Sequence, residues 1–449
     1  MFFKLKKPLI KELKMGEIMN ILNKEKTKKK EDFNFIEKSF SPEYLYWDKF
    51  QYKQLTPKNI KNEKLWNVVK FFREIKSERT PILDDKNCVF RWIKLPKIEE
   101  FFNNIDMNTG GKLFSSKYEI DKNNKQKLIS KGIMEEAIAS SQLEGAATTK
   151  KVAKKFLREN RKPKNESEQM ILNNYLTMQL LENEYKNRQM DMDLLLELHK
   201  IITKNTFTDE RKQPCLRTDK DDISVIDCIT GKTYHKAPNI NFVKKELKRM
   251  ILFANDELES DNFIHPVVKA IMLHFWIGYL HPFTDGNGRL ARLFFYWYLL
   301  KNNYWAFVYL PISKIIKKSP KQYAMSYVYS EQDDNDLTYF IDYNIKKIKL
   351  AVKEFEEYLK KEQKGNLQMN KQVRLKYDFN ERQIQLLQYF YRAPEERTSL
   401  KIHMNIYQIS KPTSIKDLKG LEKQKFLISK KQGRNIYYYP DDKINKLFL

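Results

Sequence analysis

The feature that most constrains the fold is a pair of apolar stretches joined by a short polar loop: Phe263 to Leu280, then HPFTDG, then NGRLARLFFYWYLLKN. The first stretch is about the length of a membrane span, yet it contains His265, Pro266, Lys269 and His274, so it reads as a buried core helix. The second reads as a helix too. Helices that apolar need others to cover them, and SKGIMEEAIASSQLEG, SEQMILNNYLTMQLLENEY, MDMDLLLELHKIIT and FVKKELKRMILFANDEL carry apolar residues at spacings of three and four. Twelve glycines in 449 residues, with 41% hydrophobic and 32% charged residues, leave few turn signals for an all-β fold. The expected class is mainly α, built on a helical core.

A chain of this length holds two or three domains. Residues 1–40, with KEKTKKKED, read as a lysine-rich, solvated lead-in of no assigned role. Residues 41–110 bring aromatic residues back in YLYWDKF, LWNVVKFFREI and VFRWIKL and form a small N-terminal domain, with NTGGK at 108–112 as the break after it. The core occupies 111–364. Inside it ISVID alternates, Thr230 and Gly231 supply a turn, and a β-hairpin flap is expected over 214–238. KEQKGNLQMNKQ, at 361–372, reads as a polar linker, set at 365–376. Over 377–449 three helical pieces, the last capped by Ser410, precede two strands around Gln432 and Gly433, the pattern of a winged helix.

The net charge of +26 would suit nucleic acid or an anionic membrane, but the lysines run through nearly every segment, which reads as a solvated basic surface. The N-terminus lacks the apolar run of an export signal. Cys88, Cys215 and Cys228 are far apart and odd in number, with neither metal spacing nor a disulfide framework. A reducing cytoplasm, with no membrane partner, is the expected setting.

The polar loop carries the chemistry. Its glycines open a tight turn whose backbone N–H groups, with the following helix N-terminus, form a nest for phosphate. Asp285 offers a hard oxygen ligand for Mg²⁺ shared with phosphate oxygens. Arg289 and Arg292, three residues apart on the helix, can both face a polyphosphate. His281 can take a proton from an attacking hydroxyl near neutral pH. Base, metal ligand, nest and arginines within one short segment are what phosphoryl or nucleotidyl transfer needs. GNGRLA also fits G-x-G-x-x-A, but it follows a helix and no βαβ unit surrounds it, and the Gly-Lys-Ser/Thr of a Walker A loop is absent.

From His281 to Arg292 the segment HPFTDGNGRLAR resembles the Fic family motif HPFx(D/E)GNGRxxR at every specified position. The resemblance implies a Fic-type helical core and transfer of AMP from ATP to a Ser, Thr or Tyr hydroxyl of a target protein, which can be the chain itself. It implies His281 as the base and Asp285 as the Mg²⁺ ligand. Gly286, Asn287 and Gly288 would form the phosphate nest, Arg289 would bind the bridging phosphates and Arg292 the γ-phosphate. The flap is similar to the family's target-docking hairpin, with Val225, Ile226 and Asp227 nearest the nucleotide, although Cys215 to Arg217 replaces a Gly-containing turn. Tyr323 stands where an adenine-contacting tyrosine is often found. ASSQLEGA resembles the family's inhibitory helix, here expected over 131–145, with Ser140, Glu144 and Gly145 at the specified places and Glu144 reaching Arg292. The likeness runs over roughly 40–449.

Other readings stay open. Lys416, Lys419 and Lys423 on the last tail helix, with Lys430, Lys431 and Arg434 on the wing, would suit a DNA-binding regulator. The loop would also serve transfer of UMP, phosphate or phosphocholine, or removal of AMP. Assembly with further copies of the chain is left open too.

Overall fold

The computed structural model describes residues 2–8, 14–25, 34–54, 60–109, 122–206, 215–227, 229–258, 262–433 and 435–447. Cys228, Arg434, residues 26–33 and the NTGGK break from residue 110 onward lie outside them.

In chain order the helices are α1 Met15–Glu25, α2 Asn34–Phe40, α3 Trp47–Phe50, α4 Asn62–Lys76, α5 Pro96–Thr109, α6 Lys122–Leu143, α7 Lys150–Glu159, α8 Glu166–Asn183 and α9 Met192–Ile202. They continue as α10 Ile240–Ala254, α11 Pro266–Leu280, α12 Asn287–Lys301, α13 Ile312–Ile316, α14 Pro320–Gln332, α15 Thr338–Lys376, α16 Glu381–Arg392, α17 Leu400–Tyr407, α18 Lys411–Lys423 and α19 Lys443–Leu447. The strands are β1 Glu78–Leu83, β2 Val89–Trp92, β3 Ser224–Ile226, β4 Thr233–Lys236, β5 Thr398–Ser399, β6 Leu427–Gln432 and β7 Asn435–Pro440. They form hairpins β1–β2 and β3–β4 and a three-stranded sheet in the order β5-β7-β6, so the fold is mainly α.

Helices start where a side chain can take up the first free amides. Asn165 accepts from Glu168, Asp191 from Leu194, Asn239 from Phe242 and Ser410 from Thr413, and Pro266 opens α11 where its missing N–H costs nothing. At the centre, α11 is buried from Val267 to Leu280 apart from Gly278, and α12 from Asn287 to Leu300 apart from Gly288. The polar residues that ruled out a membrane span are partnered: Lys269 pairs with Asp256, and His274 Nε2 meets the Tyr323 hydroxyl at 2.8 Å. No helix among the described residues is long and apolar enough to cross a membrane.

The lead-in is not simply solvated. Phe3 and Leu5 alternate with lysines, and this extended segment lies along β4: the Phe3 amide donates to the Thr233 carbonyl at 2.8 Å, and Gln332 holds Phe3 and Leu5. Leu5, Ile18 and Phe35 join the same hydrophobic cluster as the core, which also takes in Tyr44 to Ile105. The expected linker at 365–376 is instead the end of α15. Its Lys, Arg, Gln, Leu and Met residues are good helix formers, and one glycine costs only about 1 kcal/mol while the helix is already propagating.

The tail has its own cluster of Ile384, Leu387, Phe390, Leu418, Leu421, Phe426 and Tyr438. Helix α17 packs on α6 and α7. Two polar contacts flank that packing: Arg158 donates to the Tyr389 hydroxyl at 2.7 Å, and Arg397 pairs with Glu159 at 3.2 Å.

Candidate active site

The site lies in the turn between α11 and α12. His281 follows the last residue of α11 in the left-handed conformation, φ 47° and ψ 57°, which turns the chain out of the helix. Its Nδ1 stands 2.9 Å from the Gly278 carbonyl. A carbonyl only accepts, so Nδ1 carries the proton and Nε2 keeps its lone pair. Burial, reinforced by His235 and Arg217, pushes the imidazole down to about 4 against the raising effects of the Gly278 carbonyl and Glu144, so the ring is neutral at pH 7.

The loop is fixed from inside. The Asn287 amide group accepts from the Phe283 N–H at 3.0 Å and donates to the Phe283 carbonyl at 2.8 Å. Phe283 stacks on His199 at 3.6 Å between ring centres, and His199 Nε2 lies 2.9 Å from the Asp285 carbonyl. Gly286 heads α12 with φ 82°, and a Cβ there would come within 2.8 Å of Thr203 Cγ2, so both backbone and space demand glycine. No side chain caps α12, whose first amides therefore face the site as an anion nest.

Four charged groups surround that nest. Arg289, fully buried, donates to the Ile202 carbonyl at 2.9 Å and to Asp285 Oδ2 at 2.8 Å. The Asp285 side chain is 49% exposed, which leaves it accessible to a cation. Arg292 donates from Nε to Ser140 Oγ at 2.8 Å and from Nη2 to the Ser140 carbonyl at 3.0 Å and Glu144 Oε1 at 2.8 Å. Burial works against its charge, but Glu144, Tyr323 and Glu136 outweigh this and raise its pKa. A Cβ built on Gly288 would stand 2.2 Å from Glu144 Oε1, so this carboxylate lies directly over the start of α12.

Most expected residues are therefore brought together, with differences in detail. Helix α6 ends at Leu143, so Glu144 is in the turn after the helix rather than within the expected 131–145 helix; Gly145, at φ 98°, continues that turn. The Asp227 carboxylate is turned back into its own hairpin, accepting from the Ile229 amide and the Thr230 and Tyr234 hydroxyls at 2.6 to 3.1 Å. Val225 is half-buried and Ile226 is 53% exposed on β3. The Tyr323 hydroxyl is tied to His274, and both lie within electrostatic reach of Arg292.

Two histidines escaped sequence reading. His199 has only the appearance of a polar residue on the apolar face of α9. His235 bridges the flap to the catalytic turn, with Nε2 2.7 Å from the Tyr279 carbonyl and Nδ1 2.7 Å from Glu331. Burial lowers its pKa and Glu331 more than compensates, raising it. The one available signal was alternation in TYHK, which places Tyr234 and His235 on opposite faces of β4.

Residues 189–299 match the Fic/DOC family. The chain is 31% identical over 119 residues, 26% of its length and 20% of the relative's, to protein adenylyltransferase fic-1 of Caenorhabditis briggsae. It is 43% identical over 51 residues, 11% of its length and 12% of the relative's, to protein adenylyltransferase Fic of Nematostella vectensis. It thus spans a fifth or less of the length of these curated relatives. Among solved structures it is similar to a Fic family protein from Desulfovibrio desulfuricans G20, with 16% identity and a TM-score of 0.49, covering 77% of this chain and 96% of that one.

Proposed function

We propose, for a chain that belongs to the Fic family through its domain at 189–299, that it transfers AMP from ATP to a hydroxyl of a target protein and that Glu144 restrains this activity at rest. The observation that carries the reading is His281, held neutral with Nδ1 on the Gly278 carbonyl and Nε2 left to accept a proton beside an uncapped helix N-terminus. The names of the nematode and anemone relatives agree with it.

The target hydroxyl gives its proton to His281 Nε2 as its oxygen attacks the α-phosphorus. The bond from that phosphorus to the bridging oxygen breaks, and pyrophosphate leaves. Amides at the start of α12 stabilise charge on the α-phosphate, and Arg289 and Arg292 hold the leaving phosphates. Asp285 is the residue to hold Mg²⁺ together with phosphate oxygens. A single carboxylate beside a phosphate nest suits a cation held jointly by the protein and the nucleotide. Bound Mg²⁺ would neutralise part of the polyphosphate charge.

Restraint follows from Arg292. With Glu144 on the guanidinium and over Gly288, a γ-phosphate meets an occupied arginine and a carboxylate of its own charge sign. Glu144→Gly should incorporate AMP from α-labelled ATP into lysate proteins or into itself, and Glu144→Gly with His281→Ala should not. Equal incorporation by wild type and Glu144→Gly would remove the restraint. A different adduct mass with competing nucleotides would replace AMP by another group.

A second reading concerns the tail. On α18 the residues Ser414, Asp417, Leu418 and Leu421 are buried, and Lys416, Lys419 and Lys423 share the opposite, exposed face beside exposed Lys430 and Lys431 of β6. That stripe suits duplex DNA as a winged helix would bind it. A salt-dependent gel shift lost in the Lys416, Lys419, Lys423 triple glutamate variant would support it, and an unchanged shift would reduce it to general charge.

A further inference from the structure

The end of α11 and the two residues after it present six successive carbonyls, and each one has a donor. Ile277 accepts from the His281 amide at 3.0 Å, Gly278 lies 2.9 Å from His281 Nδ1, and Tyr279 lies 2.7 Å from His235 Nε2. The remaining three are served by one residue. Arg217 donates from Nη2 to Leu280 at 3.3 Å, from Nε to His281 at 2.7 Å and from its backbone N–H to Pro282 at 2.9 Å. Nη2 also donates to the Pro238 carbonyl at 2.5 Å, on the strand side where the flap ends.

We propose that Arg217 is a positioning residue for His281, fixing the catalytic turn by taking up the carbonyls that the helix end leaves free. The proposal rests on the reading of His281 as the base. A non-glycine residue in the left-handed region costs on the order of 1–2 kcal/mol, so something must hold His281 at φ 47°. The last carbonyls of a helix lack intrahelical donors and carry the negative end of its dipole. A guanidinium answers both needs: it is charged and its planar fork reaches several carbonyls at once, which an ammonium cannot do with the same geometry. Arg217 is itself buried at 4% exposure, so its contacts are shielded from water. The phosphate nest has separate supports in Asn287, His199 and Arg289, so losing Arg217 should move the base and leave nucleotide binding intact.

The test uses the full chain with Glu144→Gly as parent and pyrophosphate release from ATP as readout. Arg217→Met should lower kcat about 100-fold, the cost of displacing a catalytic group by roughly an ångström. KM for ATP should stay within about 2-fold, and Arg217→Lys should recover part of the loss. The acid limb of the pH profile should move to higher pH, because the Arg217 charge helps to keep His281 neutral. An unchanged kcat, or a higher KM at constant kcat, would overturn the assignment. An inactive parent would count against the transfer reading instead. The inference is then decided on the resting protein by imidazole ¹⁵N shifts, assigned with His281→Ala: the Nδ1–H tautomer should be lost in Arg217→Met and retained in Arg217→Lys. Retention in both would sink it.

Discussion

Arg289 and Arg292 leave the same helix three residues apart, and both are buried. The carboxylate that Arg289 holds belongs to the turn itself, Asp285, four residues before it, with the Ile202 carbonyl at the end of α9 as a further acceptor. Arg292 is held by Ser140 and Glu144, the latter 148 residues away in sequence. A partner supplied by the same loop cannot leave without dismantling the loop. One supplied by another element can leave while the loop stays intact. On the proposed reading of Glu144, the first pair builds the site and the second restrains it.

Removing the base should have the largest effect and should be blind to this difference. In the Glu144→Gly background, His281→Ala should lower AMP incorporation by roughly 10²–10⁴-fold, the usual contribution of a general base. The two carboxylates should then separate in sign. Asp285→Ala should lower incorporation about 100-fold, because Arg289 loses its partner and the nucleotide loses a cation ligand. Glu144→Gly should raise incorporation on the order of 10- to 100-fold, since the arginine that it vacates gains a charged phosphate. Endpoint labelling with α-labelled ATP at equal protein concentration measures both. Changes of the same sign would erase the comparison.

Each arginine also lies beside a buried histidine whose charge it opposes. Burial pushes His199 down to about 4 and His274 to about 3, with Arg289 adding to the first and Arg292 to the second. As pH falls through about 6.5 the unfolded imidazoles take up protons, but the folded ones stay neutral until near 4 or below. Stability should thus be highest above pH 6.5 and fall below it, by roughly 1.4 kcal/mol per pH unit for each such histidine. His235, raised by Glu331, opposes this, since its contribution is present below 6.5 and lost as pH rises through its folded pKa. Melting curves at pH 6.5, 5.5 and 4.5 should show the decline. Arg292→Met should shrink it by raising His274, and a flat series would contradict the burial of these rings.

What could be read from the sequence divides along the same line as the two arginines. The local pair was legible, because the loop and the helix that it opens are contiguous and their residue types serve one chemistry. So were the helical core and the β3–β4 hairpin, each written in a period of its own. The distant pair was reached only through a family resemblance, and even then the helix was carried two residues too far, because it ends at Leu143 and passes into a turn at Glu144 and Gly145 that apolar spacing does not record. The extended segment from Phe2 to Leu5 is placed by β4 and Gln332, both more than 200 positions away, so where it packs could not be read locally. His199 and Arg217 act on backbone carbonyls, which every residue possesses, so no complementary residue type betrayed them.

The smallest of the expected effects tests how the distant pair is held. Ser140 gives Arg292 two contacts, one from the hydroxyl and one from the backbone carbonyl. Ser140→Ala removes only the first, a buried hydrogen bond to a charged group worth about 1.5–3 kcal/mol at most, and keeps the helix and Glu144. Part of that loss would be shared with a nucleotide-bound state in which Arg292 keeps its contact with the Ser140 carbonyl. Incorporation should then rise only about 3- to 5-fold over wild type, and Ser140→Ala should add nothing once Glu144 is glycine. A gain that persists in the double variant would mean that Ser140 restrains Arg292 on its own, and the regulatory pair would have to be redrawn around the serine.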